Sequence, residues 1–245
     1  MNFTLLEWIF LALGALLAGS SKGGLPGLNI VAVVLFAQVL PAKVATGTLL
    51  PLLIAADLVA VSLFRNSANW RTLWRLLPST AAGVVVGALL LGRLDDRVMK
   101  TLLGGIVISL CVLQFWRSRN PIVGVALVSH PVTAGLAGAL AGFTTLVANA
   151  AGPIMTLYLL AMRLTKNEFV GTTAWFFLVV NLFKLPFMLG LGLVGWQSLQ
   201  LDSILAIFAL TGVFLGRLVL RRLEQHIFNQ VALVLAFLGG LRLLL

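Results

Sequence analysis

Charge is what this chain lacks most. Only 10 % of its 245 residues are charged, against about 25 % in soluble domains. Such a supply cannot cover a water-facing surface, and a soluble globular fold is excluded. Cysteine is almost as scarce: Cys111 stands alone, which rules out an intrachain disulfide and a cysteine-rich metal site. The two histidines, His130 and His226, lie far apart and have no metal-ligand spacing. There is no nucleotide-binding motif, no HExxH and no candidate catalytic dyad. An enzyme is therefore not expected, nor is any cofactor or metal. The N-terminus MNFTLLEWIF carries an acid and no basic n-region, so it does not read as a cleaved signal peptide.

Hydrophobic residues make up 60 % of the chain, and the mean hydropathy is +1.09. Apolar segments of about 20 residues, the length of a membrane crossing, recur from end to end. The fold class that follows is an all-α polytopic membrane protein embedded in the lipid bilayer. The net charge of +10 would point to nucleic acid on a soluble protein. Here most arginines lie in short loops, where they set orientation and meet anionic headgroups. No aromatic-interleaved basic patch is present, and no nucleic-acid partner is expected.

Four segments cross on length alone: 44–64, 75–93, 100–116 and 170–189. Segments 202–220 and 227–245 complete six. The loops between them include RNSANWRTLWR (65–75), RSRN (117–120) and RRLEQH (221–226). The remainder differs. Segments 5–19 and 28–40 flank a break at GSSKGGLPGLN, and segments 132–147 and 152–162 flank a second at NAAGP (149–153). Non-helical backbone at membrane depth survives only where protein or a water-filled cavity satisfies it.

The two broken regions hold corresponding places in a repeat with an offset of 124. Gly14-Ala15-Leu16 matches Gly138-Ala139-Leu140, Gly47-Thr48 matches Gly171-Thr172, and Gly92-Arg93-Leu94 matches Gly216-Arg217-Leu218. Asp57 falls on Asn181. One integral membrane domain of two related halves results, 1–120 and 121–245, each a re-entrant-like helix pair plus about three spans. Loops 65–75 and 117–120 hold five arginines and no acid, whereas loop 190–201 has no basic residue. Repeat-related loops thus carry opposite orientation signals, which favours inverted halves. Lys43 and the mixed loop RLDDRVMK pull the other way, and four-plus-four parallel spans stay open.

The first break carries the chemistry. Gly23, Gly24 and Gly27 permit unusual backbone, and Pro26 lacks a hydrogen-bond donor. A helix restarting near Gly27 would aim free N–H groups at the break, beside Ser20, Ser21, Asn29 and the Lys22 ammonium. Together these suit an oxyanion. An intramembrane lysine costs about 2.5–3.5 kcal/mol on insertion scales, so it marks function unless it snorkels to headgroup phosphates. The second break offers Thr144, Thr145, Asn149 and Gly152 but no cation; its small residues would equally serve helix packing. Thr46, Thr48, Thr172 and Thr173 begin long spans, where they line a cavity or bond back to their own helices. Asp57 and Lys184 lie inside spans. Asp57 would pair with Lys22 or Lys184, or carry a proton, and an uncompensated Lys184 would be a further anion ligand. Gly83 and Gly87 form a small-residue packing face. Trp70, Trp74, Trp175 and Trp196 read as interfacial anchors.

The glycine-rich break, the two related halves and the overall length resemble the TauE/SafE family of sulfite-exporter-like permeases. The stretch SKGGLPGLNIVAVVLFAQVLPAKVATGTLLPLLIAADLVAV (21–61) resembles a branch with a lysine in its glycine motif. This resemblance implies a multi-pass permease of the bacterial inner membrane, an exporter of small anions such as sulfite, organosulfonates or carboxylates. Lys22 and Pro26 stand where many members have only small residues, and NAAGP replaces a run of glycines, so the cargo stays open. The expected mechanism is alternating access, with the anion near mid-membrane and Asp57, Asn181 and Lys184 serving coupling or an ion pair. Proton or sodium coupling and a homodimer are compatible with the chain. The alternatives are an anion channel, an intramembrane enzyme and a membrane scaffold.

Overall fold

The computed structural model describes residues 3–91 and 131–224, with scattered helical positions between 226 and 238. The expected spans 100–116 and most of 227–245 fall outside the described residues, as do Cys111, His130, RLDDRVMK, RSRN and the Gly92-Arg93-Leu94 block. Every regular element among the described residues is helical.

Thr4 starts the first helix, α1 (Leu5–Gly23), with a reciprocal cap: its N–H donates to Glu7 Oε2 at 2.7 Å and its hydroxyl accepts from Glu7 N–H. The helix runs four residues beyond the expected 5–19, so Ser20, Ser21 and Lys22 lie in its last turns and the break itself is residues 24–27. Gly24 (φ 129°) ends α1, and Gly27 (φ 95°) starts α2 (Leu28–Val39). Both glycines adopt backbone that an L side chain resists. α3 (Ala42–Phe64) follows, then a 3-10 turn (Arg65–Ser67) and α4 (Trp70–Leu91). The loop expected over 65–75 is shorter because Asn69 Oδ1 accepts from Thr72 N–H at 3.1 Å and opens α4 early.

The second broken pair is α5 (Pro131–Ala148) and α6 (Gly152–Ala161). Asn149 turns the chain at φ 51°, a conformation asparagine tolerates better than most residues. The Ala150 N–H returns to Thr144 O at 3.2 Å, and Pro153 restarts the helix. α7 (Lys166–Gly190) and α8 (Trp196–Arg222) complete the set. Among the described residues five helices are long and apolar enough to cross a membrane: α1, α3, α4, α7 and α8. The protein is a multi-pass helical membrane protein. α2 and α6, of 12 and 10 residues, are too short to cross alone.

Glycines set the closest contacts. A Cβ on Gly19 would lie 1.8 Å from the Ala209 carbonyl oxygen, and one on Gly23 2.1 Å from that of Val213. Gly212 and Gly216 return the contact against Leu16 and Ser20. Partner numbers rise together, so α1 and α8 run parallel, backbone on backbone. α4 and α5 repeat the arrangement: Gly83 meets Ala139, Gly87 meets Phe143, and Gly142 meets Thr80. The packing face read at Gly83 and Gly87 is thus in use. α3 and α7 run antiparallel instead. Phe64, at the end of α3, reaches Gly171 near the start of α7, while Leu193, just past α7, reaches Gly47 near the start of α3.

These contacts come in exchanged pairs. Moving Gly47 on by 124 residues gives Gly171, and moving Leu193 back by as many gives Asn69, next to the Ala68 that Gly171 meets. Gly19 so moved becomes Phe143, and Ala209 becomes Val85, two residues from Gly87. One buried core joins α1, α2, α3 and α8 through Leu11, Phe36, Leu49 and Leu205; the main core of the remainder joins α4 to α7 through Leu76, Leu146, Ile154 and Phe176. α4 and α8 have therefore each crossed to the other half of the sequence.

Trp70, Trp74 and Trp196 are exposed near helix starts, as anchors would be. Trp175 is half-buried farther along α7, with its ring 5.0 Å from that of Trp70.

Candidate functional site at the two helix breaks

Both breaks open on one cavity of about 590 Å³, counting its open mouth. From the first break it is lined by Ser21, Lys22, Gly24, Pro26, Gly27 and Asn29. From the second it is lined by Thr145, Asn149 and Gly152, and from α7 by Asn181. The helix starts at Gly27 and Gly152 thus face the same space. A Cβ on Gly152 would meet nothing within 4 Å.

Lys22 does not stand alone. Its ammonium lies 2.7 Å from Asp57 Oδ1 and 4.0 Å from the centre of the Phe177 ring, and both charged residues are buried. Asp57 Oδ2 accepts from Asn181 Nδ2 at 2.7 Å. These two residues are 124 apart, the same offset as the glycine blocks that match in the sequence. Three side chains from α1, α3 and α7 therefore make one ion pair with an amide supporting its carboxylate.

Lys184 takes other partners. Its ammonium donates to the Thr145 carbonyl at 3.0 Å, to the Thr145 hydroxyl at 3.4 Å and to Asn149 Oδ1. Among the described residues no carboxylate lies within ion-pair distance of it. Asn149 in turn donates to Thr46 O at 3.0 Å, and its carbonyl accepts from Asn29 Nδ2 at 2.9 Å. One residue, held in left-handed backbone, thereby ties α2, α3 and α7 to the second break. The buried group holds two lysines and one aspartate, a formal surplus of one positive charge.

Other expected ligands have different work. The Ser20 hydroxyl donates to Leu16 O at 2.9 Å, within its own helix, and Ser20 and Gly23 face α8. Thr172 Oγ1 accepts from Asn69 N–H at 2.9 Å and so fixes the α3–α4 turn against α7. Thr48 is buried off the cavity, and Asp57 and Lys184 sit behind its wall. Thr144 bonds back to Leu140 O at 2.8 Å. Thr173 bonds back to Phe169 O at 2.7 Å and also lines the cavity.

Thr156 and Phe177 line the cavity without being singled out by the sequence. For Phe177 a signal exists: Thr173, Phe177, Asn181 and Lys184 recur at spacings of four, four and three, one face of a helix. Thr156 has no such signal. Two cavity-lining amides keep a buried acceptor without a donor, Asn29 Oδ1 and Asn181 Oδ1. Their orientation is settled because each amide nitrogen already donates, to Asn149 O and to Asp57.

Neither the comparison with curated proteins nor that with solved structures gave a match. A family model described as sulfite exporter TauE/SafE matches residues 11–243, from within α1 to almost the last residue. The helix breaks, the buried ion pair and the cavity all lie inside that match, and the chain belongs to the sulfite exporter TauE/SafE family, a family of membrane transporters.

Proposed function

We propose that the protein is a secondary transporter that binds a small anion in the cavity between the two helix breaks. The observation that carries this reading is that two lysines and one carboxylate are buried together at and just behind the cavity wall, a formal surplus of one positive charge. Lys22 and Lys184 supply two cations and Asp57 one anion. A singly charged anion beside Lys22 would neutralise the group, and desolvation inside the bundle would strengthen that attraction. The starts of α2 and α6 add partial positive charge from the same side. Ser21 and Thr156 add hydroxyl donors at the wall.

The unpartnered Asn29 and Asn181 oxygens would accept from a donor on the ligand or from water. A protonated oxyanion has both features, a negative charge and an O–H. Cargo of the sulfite class in its hydrogen form would fit, as would a sulfonate or carboxylate with water beside it.

Alternating access would follow from the arrangement of the halves, which we read as inverted. Support comes from α3 and α7: they are repeat counterparts, they run antiparallel, and they meet at Asp57 and Asn181. Counterpart helices of opposite direction require a two-fold axis across the helices, hence in the membrane plane.

The test is anion-dependent thermal stabilisation of the purified protein with sulfite, sulfate, thiosulfate, sulfoacetate and simple carboxylates. Lys22→Ala alone would leave Asp57 buried without its cation, so the informative variants are Asn29→Ala and the double change Lys22→Met/Asp57→Asn. Stabilisation of the native protein by one anion, weakened in both variants, is the expected result: the double change keeps Lys184 but removes the ammonium that lines the cavity. Stabilisation that survives both changes would place the anion elsewhere. Absence of any effect in the panel would remove the anion site.

A further inference from the structure

Asp57 is committed to Lys22 and Asn181, but a second carboxylate inside the spans has no partner among the described residues. Asp202, on α8, is buried at 5 % exposure, and neither of its oxygens has a hydrogen-bond partner among the described residues. It lies six residues from the helix start at Trp196, about 9 Å along the axis. Leu201 and Leu205 beside it belong to the apolar core shared by α1, α2, α3 and α8.

Among the described residues, the charged groups on the helices packed against α8 are accounted for. On α1, Glu7 is held by Thr4 and Lys22 by Asp57; on α3, Lys43 is exposed and Asp57 is paired. On α8 itself the basic residues begin at Arg217, fifteen positions on and about 22 Å away. Ser198, one turn nearer the helix start, spends its hydroxyl on Gly195 O at 2.8 Å. An ionised carboxylate in such surroundings would be unsolvated and unpaired. A bound metal cation would need several more oxygen ligands, and the described residues hold no group of three acids, histidines or cysteines. A proton needs no other ligand.

We propose that Asp202 is a proton-binding site: it carries a proton in this packed arrangement and releases it when α8 separates from its neighbours. The proton leaves from the carboxyl oxygen to water, and the carboxylate gains its charge only once water reaches it. Where transport is concerned this rests on the anion reading above. α8 meets α1 backbone to backbone at Gly19 and Gly23, and α1 carries Lys22. Movement that exposes Asp202 would therefore also disturb the cavity wall, which couples proton release to the anion site.

Dicyclohexylcarbodiimide, which modifies protonated carboxyls in apolar surroundings, tests this without any anion. Mass spectrometry of peptides from the treated full-length protein should find the adduct on Asp202 and not on the ion-paired Asp57. Labelling should fall about tenfold per pH unit above the titration midpoint. In parallel, the packed protein would hold a proton that the unfolded chain releases near neutral pH. Its unfolding temperature should then fall as pH rises, and Asp202→Asn should remove that part of the slope. No adduct on Asp202, or an unchanged slope in Asp202→Asn, overturns the proposal. Labelling of the native protein decides the matter even if the variant does not fold, and it is indifferent to whether Lys22 binds anions.

Discussion

Removing Lys22 while leaving Asp57 is the sharpest perturbation available. Lys22 is 6 % exposed and Asp57 not at all, and their charged atoms are 2.7 Å apart. Breaking a buried pair by deleting one partner costs about 3–5 kcal/mol, because the other charge stays buried without compensation. Asp57 would retain one amide hydrogen bond, from Asn181, which places Lys22→Met toward the lower end of that range. Asp57→Asn leaves the ammonium against the Phe177 ring alone; a desolvated contact of that kind recovers about 2 kcal/mol. Replacing both charges removes the uncompensated group, so Lys22→Met/Asp57→Asn should cost less than either single change. At a chain length near this one, each kcal/mol shifts the unfolding temperature by about 2–4 °C, so a single variant should lose about 10 °C and the double variant far less. Unfolding of the purified protein in one detergent, followed through the four members of the cycle, measures this directly. Additive losses in the double variant would refute the reasoning, since independent sites add and a coupled pair does not.

Lys184→Met should weaken anion-dependent stabilisation, because it removes the surplus positive charge, and it should also loosen the second break that Thr145 and Asn149 hold; a titration against sulfite or another stabilising anion reads the first effect. Gly19→Val should abolish stable folding, since its Cβ would lie 1.8 Å from the Ala209 oxygen, whereas Gly135→Ala, with nothing within 4 Å, should be neutral or stabilising by about 0.5–1 kcal/mol; yield of monodisperse protein and unfolding temperature separate the two. Thr165→Ala should cost about 1 kcal/mol by removing the reciprocal cap with Glu168 that starts α7, and Thr165→Ser should restore most of it in the same thermal assay.

Hydropathy and glycine placement made the class and the two breaks legible in the sequence. Apolar runs of crossing length leave few alternatives in a bilayer, because every buried backbone group must be satisfied within its own segment. The recurrence of Gly47-Thr48 at Gly171-Thr172 likewise marked two positions where the structure brings backbones into close contact. Single-residue boundaries were less legible. The run to Gly23 continues as helix because Ser20, Ser21 and Lys22 carry no compulsory stop, and only Gly24 and Gly27 enforce one through their backbone.

Composition and spacing by themselves determined that this chain is a helical membrane protein with two interrupted helix pairs and charges it cannot expose to lipid. Which charges meet was decided by the tertiary structure alone. Asp57 had Lys22 and Lys184 as equally acceptable partners in one dimension. The crossing of α1, α3 and α7 gave it Lys22 and left Lys184 to Thr145 and Asn149. The parallel contacts of α1 with α8 and of α4 with α5 likewise join residues far apart in the chain. The physical reason is common to both cases. A buried charge takes whichever partner the packing brings within about 3 Å, and although small residues mark a face for close approach, which distant helix meets that face is not encoded in any local pattern.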